Sequence, residues 1–204
     1  MHRLATADSA ETSLFTGDAA LLSDSDIARI LAYEYSPPVH AKVGIMGLGQ
    51  QLWFGYSDEL ARSGEQIRRD LIDTLKQAPP VADASFLPVL LVPSNRSVAH
   101  YREAAARTQS DLLLIYQASC RTYDKFRMFR PSESKAFCTV EALLLDVRTG
   151  IVPFTNTVTK ELLITERKED FNIIETRRRS ELDAIREALS QVATSVASYL
   201  VSKT

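Results

Sequence analysis

The stretch AKVGIMGLG, with Gly44, Gly47 and Gly49, is the nearest the chain comes to a phosphate-binding loop. A dinucleotide fingerprint runs G-x-G-x-x-G and opens a helix at once, so that the N–H groups of a tight turn cradle a pyrophosphate. Here the order is G-x-x-G-x-G, and the following QQLWFGYSDEL is bulky where a compact loop is needed. The glycines read better as sites of turning and close backbone approach. His2, His40 and His100 have no ligand spacing, and Cys120 and Cys138 lack a Cys or His neighbour in sequence, so no metal site is expected. Nothing resembles C-x-x-C, which argues against redox catalysis. Asp146 and Glu141 have no signalled partner acid or base. The expectation is a chain with no catalytic residues and no cofactor. One alternative stays open. Loops after strands at 42–48 and 86–93 would form a crevice at the carboxyl ends of parallel strands, lined by Lys42, Asp58, Glu59, Ser94, Asn95 and Arg96. That crevice would suit a nucleotide-binding or small-ligand-binding protein, or an enzyme.

The elements that must carry these residues fit one domain. The chain has 204 residues, 45% hydrophobic and 25% charged, enough for a core without a metal staple. A net charge of −2 provides no electrostatic footprint for nucleic acid, and none is expected as a partner. No run of apolar residues is long enough to span a bilayer, and MHRLATADSAETS contains no hydrophobic signal core. Residues 1–23 are rich in Ala, Ser, Thr and Asp and read as a flexible leader or tether. Residues 24–204 are expected to form a single α/β domain.

A helix is expected over 24–35, capped by Ser23 or Asp24, with Ile27, Ile30 and Leu31 on one face. A buried strand follows at 41–49. Trp53, Phe54 and Tyr56 then either close the end of a sheet or offer a surface to a partner. A second helix runs 63–78, with Ile67, Leu71 and Leu75 inward and Ser63 as cap. The apolar run FLPVLLVP at 86–93 reads as a buried parallel strand. A helix from Ser97 to Gln109 and a strand LLLIY complete a β-α-β-α-β order, the grammar of a parallel sheet.

Residues 111–160 then read as a meander of long strands. If 112–128 pairs with 134–147 about Phe129, residues whose numbers sum to 258 face each other, and Cys120 meets Cys138. A disulfide there would close a loop of roughly twenty residues, add about 3 kcal/mol, and imply an oxidising compartment. Two free thiols on a sheet face, or a register slipped by one, are the alternatives. The hairpin tip mixes Tyr123, Phe126 and Phe129 with Lys125, Arg127 and Arg130. A solvated hairpin explains that alternation, as does a protein-contact surface; alternating base and aromatic also suits a nucleic-acid surface, which the negative net charge disfavours. Arg148-Thr149-Gly150 forms a tight turn, with Asp146 bonding back into it. Residues 162–180 have no clear assignment, and a long amphipathic helix begins at Glu181 with Ser180 as cap. The architecture expected is a mixed sheet, its parallel βαβαβ part continuing into an antiparallel meander, with helices packed on it and a long helix at the C-terminus.

Taken in order, AKVGIMGL, FLPVLLVPS, SVAHYREAAARTQSD, LLLIY and TVEALLLDVRTGIV resemble bacterial envelope lipoproteins whose fold is similar to the TolB N-terminal domain and to the periplasmic part of the curli-secretion lipoprotein. The recurrent pieces are the alanine-rich helix ending in Asp, here Ala104 to Asp111, and the LLDVRTG turn, here Leu144 to Gly150. The resemblance covers about residues 41–200. It implies a non-enzymatic periplasmic component, associated with the outer membrane through an N-terminal lipidated cysteine, acting as a protein–protein interaction or assembly module. Other envelope proteins, or a second copy, would be its partners. This chain has no cysteine near its start. A cytoplasmic location is the alternative.

Overall fold

A computed structural model describes residues 22–49, 58–94, 96–127, 131–167, 170 and 173–203. Trp53, Phe54, Tyr56, Phe129, Arg130 and nearly all of the leader lie outside the described residues. In chain order the elements are α1 (Asp24–Leu31), β1 (Ala41–Leu48), α2 (Asp58–Lys76), β2 (Val81–Phe86), a 3-10 turn (Val89–Leu91), α3 (Val98–Arg107), β3 (Leu112–Lys125), β4 (Glu133–Asp146), β5 (Phe154–Thr165) and α4 (Ile173–Lys203). They form one five-stranded sheet in the order β2-β1-β3-β4-β5. β1 is parallel to β2 and β3, and β3, β4 and β5 are successively antiparallel. The mixed sheet and the long closing helix are as the sequence implies.

The chain steps outward from β1 to β2, then back past β1 to β3. Right-handed crossovers in opposite directions put their helices on opposite faces. Accordingly α2 shares a core with α4, where Ile45, Leu71, Leu112, Leu114, Leu144, Ile185 and Val192 are buried. On the other face α3 buries Tyr101, Ala104 and Ala105 against Met46, Leu113, Ile115 and Leu145. Alanines let α3 approach the sheet closely. After β3 the chain makes a meander, which needs no crossover helix. The α3 face therefore has no cover over the outer parts of β3, β4 and β5 among the described residues.

Several boundaries depart from the sequence reading for identifiable reasons. α2 begins at Asp58, not Ser63, because Leu60 and Gly64 continue the buried stripe of Ile67, Leu71 and Leu75 backward. The second parallel strand is VADASF, residues 81–86, not 86–93. Its pairing with β1 uses the ladder up to Leu87, whose N–H donates to the Ile45 carbonyl at 2.9 Å. Beyond that, Pro88 and Pro93 remove ladder donors. The apolar run turns outward as a 3-10 turn in which Leu90 is 97% exposed. Ser23 is the cap of α1, in a capping box with Asp26, but the helix buries none of its residues. α4 starts at Ile173, so Ser180 is an interior residue that donates to the Arg177 carbonyl, not a cap.

Candidate functional site

The β3–β4 register pairs residues summing to 258 throughout, from Leu112 with Asp146 to Lys125 with Glu133. Cys120 lies opposite Cys138, and the two form a disulfide. The turn at its base is as expected. Asp146 accepts from the Thr149 N–H at 2.7 Å and the Thr149 hydroxyl at 2.8 Å, and Gly150 adopts φ +78. Arg102 from α3 donates to the Val147 carbonyl at 2.8 Å, tying the turn to the helix.

The outer half of the hairpin is held differently from the inner half. At 14 residues, β3 and β4 each extend about 45 Å, and the 31-residue α4 is about as long. Near its start α4 meets the strands through polar groups. Arg177 binds Asp124, which also accepts from the Ser134 hydroxyl at 2.9 Å. Glu181 accepts from Thr122 at 2.7 Å and from Arg178 at 3.0 Å. Arg179, nearly buried, binds Asp170. Burial alone would push the Asp170 carboxyl up, but the bonds from Arg179, the Arg167 N–H and Thr176 outweigh it and hold it at about 2. Arg177 thus fastens the helix to the hairpin directly, while Arg178 supports Glu181 within α4 and Arg179 ties the helix to the segment before it.

With the even-numbered residues of outer β3 and β4 under α4, the odd-numbered ones face away from it. Across the uncovered face the rows read Ser119–Thr139–Thr159, Arg121–Phe137–Glu161, Tyr123–Lys135–Leu163 and Lys125–Glu133–Thr165. Tyr123 meets Phe137 edge to face at 5.9 Å, and the Lys135 ammonium lies 4.9 Å from the Phe137 ring centre. Lys135 also pairs with Glu161. Tyr123, Phe126 and Leu163 are exposed at 62%, 72% and 58%. Arg127 turns back to Glu133 at 2.7 Å. Of the residues predicted for a partner surface, the structure brings Tyr123, Lys125, Phe126 and Arg127 to one end of the sheet. Leu163 and Phe137 join them. Phe137 follows from the β3–β4 register already expected, whereas Leu163 escapes sequence reasoning because only the β4–β5 register shows that it shares the face.

The alternative crevice does not assemble as proposed. There is no strand at 86–93, and Lys42 lies at the opposite end of β1 from Asp58, Glu59, Ser94 and Arg96. Its N–H donates to Asp111 at 3.0 Å and its ammonium to the Thr108 carbonyl at 2.9 Å. Asn95 lies outside the described residues. Gly44 and Gly47 lie within β1. A Cβ on Gly44 would fall 2.8 Å from Leu87 Cδ1, and one on Gly47 would fall 2.9 Å from the Tyr116 hydroxyl. Packing therefore explains both glycines.

Cavities among the described residues include two that bear on a site. One of about 610 Å³ lies between α2 and α4, lined by Asp70, Asp73, Lys160, Arg186 and Glu187 among others. A smaller one, about 240 Å³, lies on the uncovered face beside Leu48, Ile115, Gln117, Glu141 and Leu143. Among the described residues no three His, Cys, Asp or Glu side chains cluster as a metal site would require. No described helix is long and apolar enough to cross a membrane.

No family model matches the chain, and no curated protein matches it. Solved structures similar to it include a lipoprotein of Caulobacter crescentus (TM-score 0.42, 11% identity, covering 79% of this chain and 92% of that one). A minor lipoprotein of Acinetobacter baumannii matches with TM-score 0.38 and 12% identity, over 81% of this chain and 94% of that one. The PelC dodecamer of Paraburkholderia phytofirmans matches with TM-score 0.38 and 16% identity, over 79% and 95%.

Proposed function

We propose that the protein is a non-catalytic periplasmic component of the bacterial envelope, tethered to the outer membrane in its full-length form, whose outer hairpin and uncovered sheet face bind protein. The observation that carries this reading is the exposure of Tyr123 and Phe126 on a strand pair that is cross-linked by Cys120–Cys138 and braced by α4. Rigid aromatics on a pre-ordered element give contact area at low entropic cost, the usual composition of an interface centre. The disulfide supports an oxidising compartment. The finer likeness to the TolB N-terminal domain and the curli-secretion lipoprotein belongs to this reading as well.

Two measurements test it. Thiol labelling of protein taken from its native compartment should find Cys120 and Cys138 protected until reductant is added; immediate labelling would remove the periplasmic assignment. A photo-crosslinking residue at Phe126, introduced in living cells, should give discrete adducts that Tyr123→Ser weakens. A probe at exposed Leu90 should not give the same adducts. Identical adducts from both positions would overturn the hairpin as the contact surface.

A further inference from the structure

The uncovered face matches itself. In the row Arg121–Phe137–Glu161, opposite charges stand at the two ends with an aromatic ring between them. Arg121 has no ion-pair partner among the described residues. The neighbouring row, Tyr123–Lys135–Leu163, has exposed apolar groups at both ends. A two-fold axis running along β4, parallel to the strands, exchanges β3 of one copy with β5 of the other and keeps each row level. Under that operation Arg121 faces Glu161 twice, Tyr123 covers Leu163 twice, and Phe137 meets its own copy at the centre. Sheets packed face to face lie about 10 Å apart, a gap that an arginine and a glutamate reaching toward each other can span. An axis perpendicular to the strands would put β3 on β3 and lose these pairings.

We propose that a second copy of this chain occupies the face, sheet against sheet, as an isologous dimer. The proposal rests on the protein-binding reading above and names the partner. It also predicts three unfavourable contacts on the β4 axis strand, where Glu133, Lys135 and Glu141 each face their own copy.

Sedimentation equilibrium on the oxidised full chain, from about 1 µM to about 200 µM, spans the affinities of interfaces of ordinary size and should show a monomer–dimer equilibrium. Arg121→Glu and Glu161→Arg should each weaken the homodimer about tenfold or more, by placing like charges opposite one another. Mixing the two variants should restore association to about the parental level, because each reversed residue then meets its complement. Glu141→Gln should tighten the dimer. Far-UV circular dichroism checks that each variant is folded. Mixed rescue does so independently, since a misfolded variant cannot rescue. A chain that stays monomeric throughout, or dimerises without regard to the reversals, overturns the proposal. Weakening by each variant without rescue on mixing, or looser association of Glu141→Gln, overturns the axis along β4. A monomeric result leaves adducts from Phe126 to other proteins unaffected, so the two readings fail separately.

Discussion

Tyr101, on the inner side of α3, is fully buried, and its hydroxyl has no hydrogen-bond partner among the described residues. An unsatisfied buried donor costs about 1–3 kcal/mol. Replacing it by Phe keeps the ring and removes the liability, so Tyr101→Phe should stabilise the protein by about 1 kcal/mol, read as a higher midpoint in urea. The Asp170–Arg179 pair shows the opposite case. Removing one member of a buried pair strands the other charge, and Asp170→Asn should cost about 3–5 kcal/mol. The pH dependence has a definite sign. The folded carboxyl titrates at about 2, below the ordinary 3.8, so its contribution is complete above about pH 4 and is lost as pH falls toward 2. Unfolding midpoints measured across that window should fall in the parent and fall less in Asp170→Asn.

Among the elements, the hairpin and the turn after β2 illustrate what sequence pattern does and does not reveal. The hairpin was legible because its register follows from alternation and a two-fold numbering rule, and the sulfurs then meet by geometry. Replacing both cysteines with serine should cost about 3 kcal/mol, by freeing the unfolded chain, and should leave the β3–β4 register intact by hydrogen exchange. The run at 86–93 misleads because apolar density does not by itself ensure burial. β2 is instead built from VADASF, whose small residues suffice at a sheet edge. Since Leu90 projects into solvent, Leu90→Ser should change stability by no more than about 0.5 kcal/mol. A buried strand leucine at that position would cost several times more.

On the scale of the whole molecule, α4 joins the outer hairpin to the core in two styles. Near its start it holds β3 and β4 through Arg177, Arg178, Glu181 and their partners. Further along it buries Ile185, Leu189, Val192, Val196 and Leu200. Asp170, whose pair with Arg179 anchors the start of α4, titrates at about 2, whereas aliphatic burial is insensitive to pH. Hydrogen exchange as pH falls toward 2 should therefore open residues 173–181 well before 185–200; simultaneous opening would show that the ionic fastening contributes little. The sequence by itself determined the mixed α/β order, the β3–β4 register, the disulfide partners and the tight turn at Gly150, because each depends on local periodicity or on pairing between neighbouring segments. Tertiary structure alone decided which strand borders β1, which side of the meander lacks a helix among the described residues, and where Arg177 finds its acid. Those outcomes depend on the path of the crossovers and on contacts between residues more than fifty positions apart, such as Arg177 with Asp124, and no local pattern encodes them.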